Sequence, residues 1–266
     1  MRRLKLKLLF SLANGVDFLG PKEASNYMTY KQLYWRLNDY RRVSVRGAIN
    51  GLIVSGFVDR IVRGRFSFFR LTKNGRMQLA AMIPIALQGE KQWDLTWRVA
   101  IVGRGMMKLA QQRKLRNQFN NLGFAKLEKG IYVTPFSVGK EVKKRLIDMG
   151  LLSFVRLMET KRFLVGDDQS FASEVWSLDT IYNKYNLLIR RGERVLYRAR
   201  RLKRLTNQVK IEYRQLLFSW FEAVFLDPGL PKRLLPSDWP RLEAQKLMDK
   251  LGKSVVELES DQKKLE

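Results

Sequence analysis

Fifty-one lysines and arginines stand against 25 aspartates and glutamates in 266 residues, a formal net charge of +26. An imbalance of that size predicts a polyanionic partner, nucleic acid first and an anionic membrane surface second. It does not signal disorder. Hydrophobic residues make up 45% of the chain and include six tryptophans, enough for a real core. The length suggests two domains or three small ones. The chain has no cysteine and no histidine. A disulfide scaffold, a thiol nucleophile, a cysteine zinc site and hydrolysis by Ser-His or Cys-His pairs are therefore excluded. No metal site and no cofactor is expected.

The charge is unevenly spread. Residues 1–86 hold 16 basic and 4 acidic residues, net +12, while 87–175 and 176–266 are each net +7. These three stretches are the expected domains, and the first is where a nucleic-acid site is sought. Within it, Leu4, Leu8, Leu9 and Leu12 recur at helical spacing until Asn14-Gly15. Pro21 marks a loop. Thr29 caps a second helix carrying Leu33, Tyr34 and Leu37. The basic turn Tyr40-Arg41-Arg42-Val43 follows. Ser44 is expected to cap a third helix that ends at Ser55, with Gly56 at the left-handed position beyond it.

The third helix has one apolar face, Val45, Ala48, Ile49, Leu52 and Ile53. Its other face carries Arg46, Gly47, Asn50 and Gly51. Two helical glycines cost about 1 kcal/mol each relative to alanine, so they are expected either to let a nucleic-acid backbone approach or to admit a neighbouring element. Arg46 and Asn50, one turn apart, suit base edges. Next, 57–62 and 66–71 read as strands of a hairpin whose tip is Arg63-Gly64-Arg65. Three helices followed by a basic-tipped hairpin is the order of a winged helix-turn-helix. Its expected contacts with duplex DNA are Arg41, Arg42, Ser44, Arg46, Asn50, Arg63 and Arg65. Thr72 caps a further helix through Met77, Leu79 and Ala80.

The middle third reads as strand 95–102, helix 108–122, hairpin strands 124–127 and 130–134, helix 138–149 and strand 152–158. This β-α-β-β-α-β order is ferredoxin-like. The segment is similar to the small CRISPR spacer-acquisition nuclease fold, notably in Arg113-Lys114-Leu115-Arg116 and Leu122-Gly123-Phe124. That nuclease holds its metal with an Asp at the end of the first strand. Here the place reads Val102-Gly103-Arg104, and the nearest upstream acid is Asp94. A metal-dependent phosphodiesterase is not expected, and the domain reads as a dimerisation scaffold.

In the last third, a long helical region from Trp176 to about Arg204 is crowded with arginine in its second half. Arg200, Arg201 and Arg204 are expected to meet phosphates. Trp220 and Phe221, in the apolar run 216–226, either line an aromatic pocket or form plain core. Residues 227–240, Asp-Pro-Gly-Leu-Pro-Lys-Arg-Leu-Leu-Pro-Ser-Asp-Trp-Pro, read as a loop whose Leu and Trp side chains dock on the C-terminal helices.

Three of these stretches carry a resemblance: 45–52 with 63–72, the middle stretch, and above all 227–240. Together they resemble the phenylacetate-degradation repressor (PaaX) family of bacterial transcription regulators. The chain differs where Asn50-Gly51 stand in place of a more polar stretch, and in its higher charge. The resemblance implies an α+β chain with a winged helix, a ferredoxin-like middle domain and a helical C-terminal domain. It further implies a homodimeric repressor of aromatic-acid catabolic genes, released by an acyl-coenzyme A effector.

Two other readings compete with a DNA-binding regulator. One is a CRISPR-type nuclease carrying a winged helix. The other is an RNA-binding or architectural protein, suggested by charge alone. The basic start, 1–10, is too short in its apolar part for an export signal, and 216–226 is too short to span a membrane. A soluble cytoplasmic protein with no membrane partner is expected.

Overall fold

The computed structural model describes residues 2–13, 27–84, 92–103, 105, 107–161, 163–202 and 204–265. The expected stop at Asn14-Gly15 and the loop at Pro21 lie outside these residues. The fold is mixed α+β with two antiparallel sheets. The chain forms two compact units, one of residues 1–86, 182–226 and 240–266, the other of 87–181 and 227–239.

The first unit begins with helix α1 (Arg2–Leu12). Leu4, Leu6, Leu8, Leu9, Phe10 and Leu12 are all buried, more of its circumference than one apolar stripe. It is a core helix, and even its Ser11 carbonyl is used, accepting from the buried Arg36 guanidinium at 2.8 Å. Strand β1 (Met28–Thr29) follows, then α2 (Tyr30–Arg36). Thr29 caps α2 as expected. Its hydroxyl accepts from Gln32 N, and the Gln32 side chain accepts from Thr29 N at 2.8 Å, a reciprocal capping box.

Helix α3 (Arg42–Val54) starts earlier than expected. Arg41, extended at φ −61°, ψ 139°, is the N-cap residue, and no side chain caps the helix. Ser44 is not the cap but lies in the first turn. Val45, Ala48, Ile49 and Leu52 are buried as expected, and Ile53 is half-buried. Gly56 closes the helix at φ +70°. Strands β2 (Val58–Arg63) and β3 (Phe66–Leu71) pair from Val58↔Leu71 to Arg63↔Phe66. Their turn holds Gly64 at φ +57°, the first central position, where a two-residue hairpin turn favours glycine. The other edge of β3 pairs with β1, Met28↔Phe69. Helix α4 (Lys73–Ala80) is capped by Thr72, whose hydroxyl accepts from Gly75 N at 2.9 Å.

Three helices complete this unit: α8 (Leu178–Leu202) from residue 182 on, α9 (Asn207–Leu226) and α10 (Arg241–Leu265). They share a core with the N-terminal helices. Phe10 meets Phe221 edge-on at 4.9 Å, and Trp35 stacks near Tyr213 at 6.5 Å. Burial pushes the Tyr213 hydroxyl pKa up. At Gly192 of α8 a Cβ would lie 2.7 Å from Leu247 Cδ2 of α10, so the glycine permits that approach.

The second unit is built on β4 (Trp97–Val102), α5 (Leu109–Asn121), β5 (Ala125–Glu128), β6 (Ile131–Thr134), α6 (Gly139–Asp148) and β7 (Val155–Thr160). Its sheet order is β5-β6-β4-β7, antiparallel throughout, the order a split β-α-β pair produces. β4 begins two residues later than expected, because Leu95 has φ +58°. β7 begins at Val155 because 152–154 form a 3-10 turn. Helix α7 (Asp168–Trp176) adds Phe171 and Trp176 to an aromatic cluster around the buried Trp97. The indole of Trp97 donates to Asp168 Oδ1 at 2.7 Å.

Residues 227–239 correct an expectation. They group with this second unit instead of with the C-terminal helices. Gln169 Nε2 of α7 donates to Arg233 O at 3.1 Å, and Leu230, Leu234 and Leu235 are buried. Asp227, fully buried, accepts from Gly229 N at 2.9 Å and so stabilises the turn.

One polar knot in this unit predicts its acid sensitivity. Arg98, buried, ion-pairs with Asp94 and Glu159 and donates to the carbonyls of Thr96 and Pro135. Its hydrogen bond holds the Asp94 carboxyl below the ordinary value of 3.8. A carboxyl depressed on folding contributes stability above its unfolded value and loses it as pH falls through the folded one. Arg98→Met is expected to cost about 2 kcal/mol at pH 7, since Asp94 and Glu159 regain water but Pro135 O loses its Arg98 donor and Thr96 O keeps only the Trp93 indole. The difference between variant and parent should shrink as the pH is lowered below about 4. Urea unfolding at several pH values checks this, and a constant difference would rule it out.

Candidate nucleic-acid interface

The α3 N-terminus carries Arg41 at the cap and Arg42 in the first turn, with no acid there and no side-chain cap. The first-turn amides of a helix have no intrahelical acceptor, and the macrodipole adds positive potential at that end. Two guanidiniums in the same place would raise the cost further unless an outside anion is present. Tyr30 Oη donates to Arg42 O at 2.8 Å and fixes this end of α3 to α2. The two helices are also joined by stacking. Arg42 lies over the Tyr34 ring at 4.8 Å, and Arg46, one turn on, lies over Tyr30 at 5.4 Å. The aromatic pair thus orients both arginines without neutralising them.

Arg41, Arg42, Ser44, Arg46, Asn50, Arg63 and Arg65 are all exposed. A groove of about 760 Å³ between α3, the start of α2 and the β2–β3 hairpin brings part of this set together. Arg46 and Asn50 line it from α3, and Arg65 from the hairpin tip. Arg41, Arg42, Ser44 and Arg63 are not among its lining residues. Two cations missed in the sequence, Lys31 and Arg60, do line it. Lys31 had a legible signal, a cation in a first helical turn where acids are favoured. Arg60 had none, because its position depends on the register that sets it across from Phe69.

The two α3 glycines separate. A Cβ on Gly51 would lie 3.1 Å from Lys5 Nζ, so that glycine sits against α1. Among the described residues, a Cβ on Gly47 would meet nothing within 4 Å. Of the two explanations expected for these residues, accommodation of a neighbour fits Gly51, and no neighbour among the described residues accounts for Gly47.

The expected effector residues are not brought together. Trp220 and Phe221 are buried, against Tyr185 and against Phe10 and Phe225. They are core. Arg200, Arg201 and Arg204 are exposed, and no described cavity joins them to those rings. The cavity that α8 does form with α9 is lined by the earlier arginines, Arg191, Arg194 and Arg198.

Two family models match the chain. The PaaX protein central Cas2-like domain covers residues 90–172, and the PaaX-like protein C-terminal domain covers 176–262. The chain belongs to the PaaX-like family. Members of this family are generally transcriptional regulators. The Cas2-like match coincides with the β5-β6-β4-β7 sheet and its two helices. No curated protein matches the chain. It is similar in fold to the uncharacterized protein Rv0674 from Mycobacterium tuberculosis, with 18% identity and a TM-score of 0.54 over 98% of this chain and 97% of that one. Among the described residues of this PaaX-like chain, no cluster of three or more acids is placed to hold a metal ion. None of the described helices is long and apolar enough to cross a membrane.

Proposed function

We propose that this PaaX-like protein is a dimeric transcriptional repressor that binds duplex DNA through α3 and the β2–β3 hairpin, arranged as a winged helix-turn-helix. The observation that carries the reading is the groove where Arg46, Asn50, Arg60, Arg65 and Lys31 converge beside an uncapped, arginine-bearing helix start. Residues 1–86 are the DNA-binding domain, 87–175 the ferredoxin-like scaffold and 176–266 the helical effector-binding domain. Arg46 and Asn50 contact base edges; Arg41, Arg42, Ser44, Arg63 and Arg65 contact phosphates. Dimerisation uses the scaffold, whose β7 edge lies near exposed Met158, Ile147 and Leu152. An acyl-coenzyme A effector releases the repressor. The stacking of Tyr213 in α9 on Trp35 in α2 supports a mechanical link from the helical domain to the DNA-binding one.

Arg46→Ala and Asn50→Ala are each expected to relax preference at one or two base pairs, at about 1–3 kcal/mol. Arg63→Ala and Arg65→Ala are expected to weaken all duplexes alike. Binding titrations against a site-variant library check both. The reverse pattern would mean that the hairpin reads sequence and α3 does not. Equal affinity for RNA hairpins and duplex would remove the repressor reading itself.

A further inference from the structure

We propose that the cleft between α8 and α9 binds the diphosphate of a nucleoside diphosphate moiety, with Arg191, Arg194 and Arg198 on the phosphates and Glu212 on a ligand hydroxyl or amino group. It rests on the effector half of the reading above for its role, and on the cleft alone for its chemistry.

Arg191, Arg194 and Arg198 recur at i, i+3 and i+7, one stripe of α8. Glu212, Gln215 and Ser219 recur at the same spacing on α9 and face them. Between the stripes lies a cleft of about 300 Å³, whose lining includes the buried Val195 and Leu216. Among the described lining residues three guanidiniums meet one carboxylate. That carboxylate is partly used. Its Oε1 accepts from Arg198 and from Gln208 Nε2, the latter at 2.8 Å. Arg198 is thereby held in place. Arg194 is steadied by its own Nε, which donates to Arg190 O at 3.3 Å.

Two deficits remain, of opposite kinds. Arg191 and Arg194 bring guanidinium donors to the cleft with no carboxylate of their own among its lining residues. Glu212 Oε2 is buried and has no hydrogen-bond partner. A buried carboxylate oxygen without a donor is costly. Inorganic phosphate would satisfy the arginines and leave Oε2 unmet. A nucleoside diphosphate offers anionic oxygens and, a few bonds away, a ribose hydroxyl or base amino group. The duplex DNA backbone offers phosphates but no such donor, and a concave site of this size suits a small ligand. Trp220 and Phe221 lie on α9 but are sealed in the core, so the aromatic part of the sequence expectation plays no role in this site.

The test uses the full chain without DNA, titrated calorimetrically with adenosine diphosphate, pyrophosphate and adenosine. Adenosine diphosphate is expected to bind about tenfold more tightly than pyrophosphate, and adenosine alone not measurably. Arg191→Ala and Arg194→Ala, both at exposed positions that do not endanger folding, should each weaken adenosine diphosphate by about tenfold or more. Lys246→Ala, an exposed change on α10, should leave it unchanged. Glu212→Gln should abolish the preference over pyrophosphate. No binding of adenosine diphosphate would overturn the proposal. So would equal losses in Arg194→Ala and Lys246→Ala, since net charge alone would then explain the affinity. Competition by a short duplex, with the arginine variants losing duplex and nucleotide affinity alike, would make the cleft a DNA surface and also overturn it. Failure to bind any duplex, with the nucleotide results intact, would remove the regulator reading and leave this assignment in place.

Discussion

Raising monovalent salt from 50 to 200 mM is expected to weaken the binding of one chain to a half-site duplex by about 10³-fold. Counting Arg41, Arg42, Lys31, Arg60, Arg63 and Arg65 as phosphate contacts, each chain neutralises about six phosphates and releases their counterions. Log affinity then falls with log salt at a slope of about −5. A fourfold rise in salt at that slope gives the stated loss. The slope is more diagnostic than the affinity, because a net charge of +26 attracts any polyanion whereas a slope counts contacts. Arg63→Ala combined with Arg65→Ala should lower the slope by about two, while Asn50→Ala should leave it alone. Fluorescence anisotropy at four salt concentrations measures both. A slope near zero would show that these cations do not meet phosphate, and the assignment of the surface would fall with it.

The parts of this surface that were legible in the sequence are local ones. Thr29, Thr72 and Gly56 act on neighbours within a turn, so their residue types carry the structure by themselves. The start of α3 was not legible, although Ser44 is the better cap by type. The helix extends one turn further because Arg42 is tied to Tyr30 of another helix. Strand β1 is only two residues long and exists through its pairing with Phe68 and Phe69, some forty residues on. Trp220 and Phe221 could be read as pocket or as core. What decides between them is Phe10, from the opposite end of the chain. Residues 227–239 likewise could dock in either unit, and Gln169 and the buried leucines place them in the second. The arginines that form a cleft are those facing α9, and the spacing of arginine along α8 does not identify that face until α9 is in position.

Two glycine-to-alanine substitutions in the first unit are expected to act in opposite directions. Gly75 is buried in the first turn of α4, where a Cβ would lie 2.0 Å from Phe57 O and 2.9 Å from Phe57 C. These are backbone atoms and they cannot yield cheaply. Thr72 N donates to Phe57 O at 3.1 Å, and the Thr72 hydroxyl donates to Gly56 O at 2.7 Å. Relieving the clash means breaking this clasp, which joins α4 to the base of the hairpin and to the end of α3. Gly75→Ala should cost about 3 kcal/mol or more, as overpacking against fixed atoms does, and should abolish duplex binding by freeing the hairpin. At Gly47 the added methyl meets nothing within 4 Å among the described residues. Gly47→Ala should therefore stabilise α3 by about 1 kcal/mol through helix propensity alone. The same methyl would stand beside Asn50 on the face proposed to approach DNA, and duplex affinity should fall by about tenfold. Thermal unfolding and duplex titration of both variants separate the cases. A more stable Gly47→Ala protein that still binds duplex as well as the parent would show that α3 keeps its distance from the DNA backbone, leaving the hairpin and the α3 N-terminus to carry the binding.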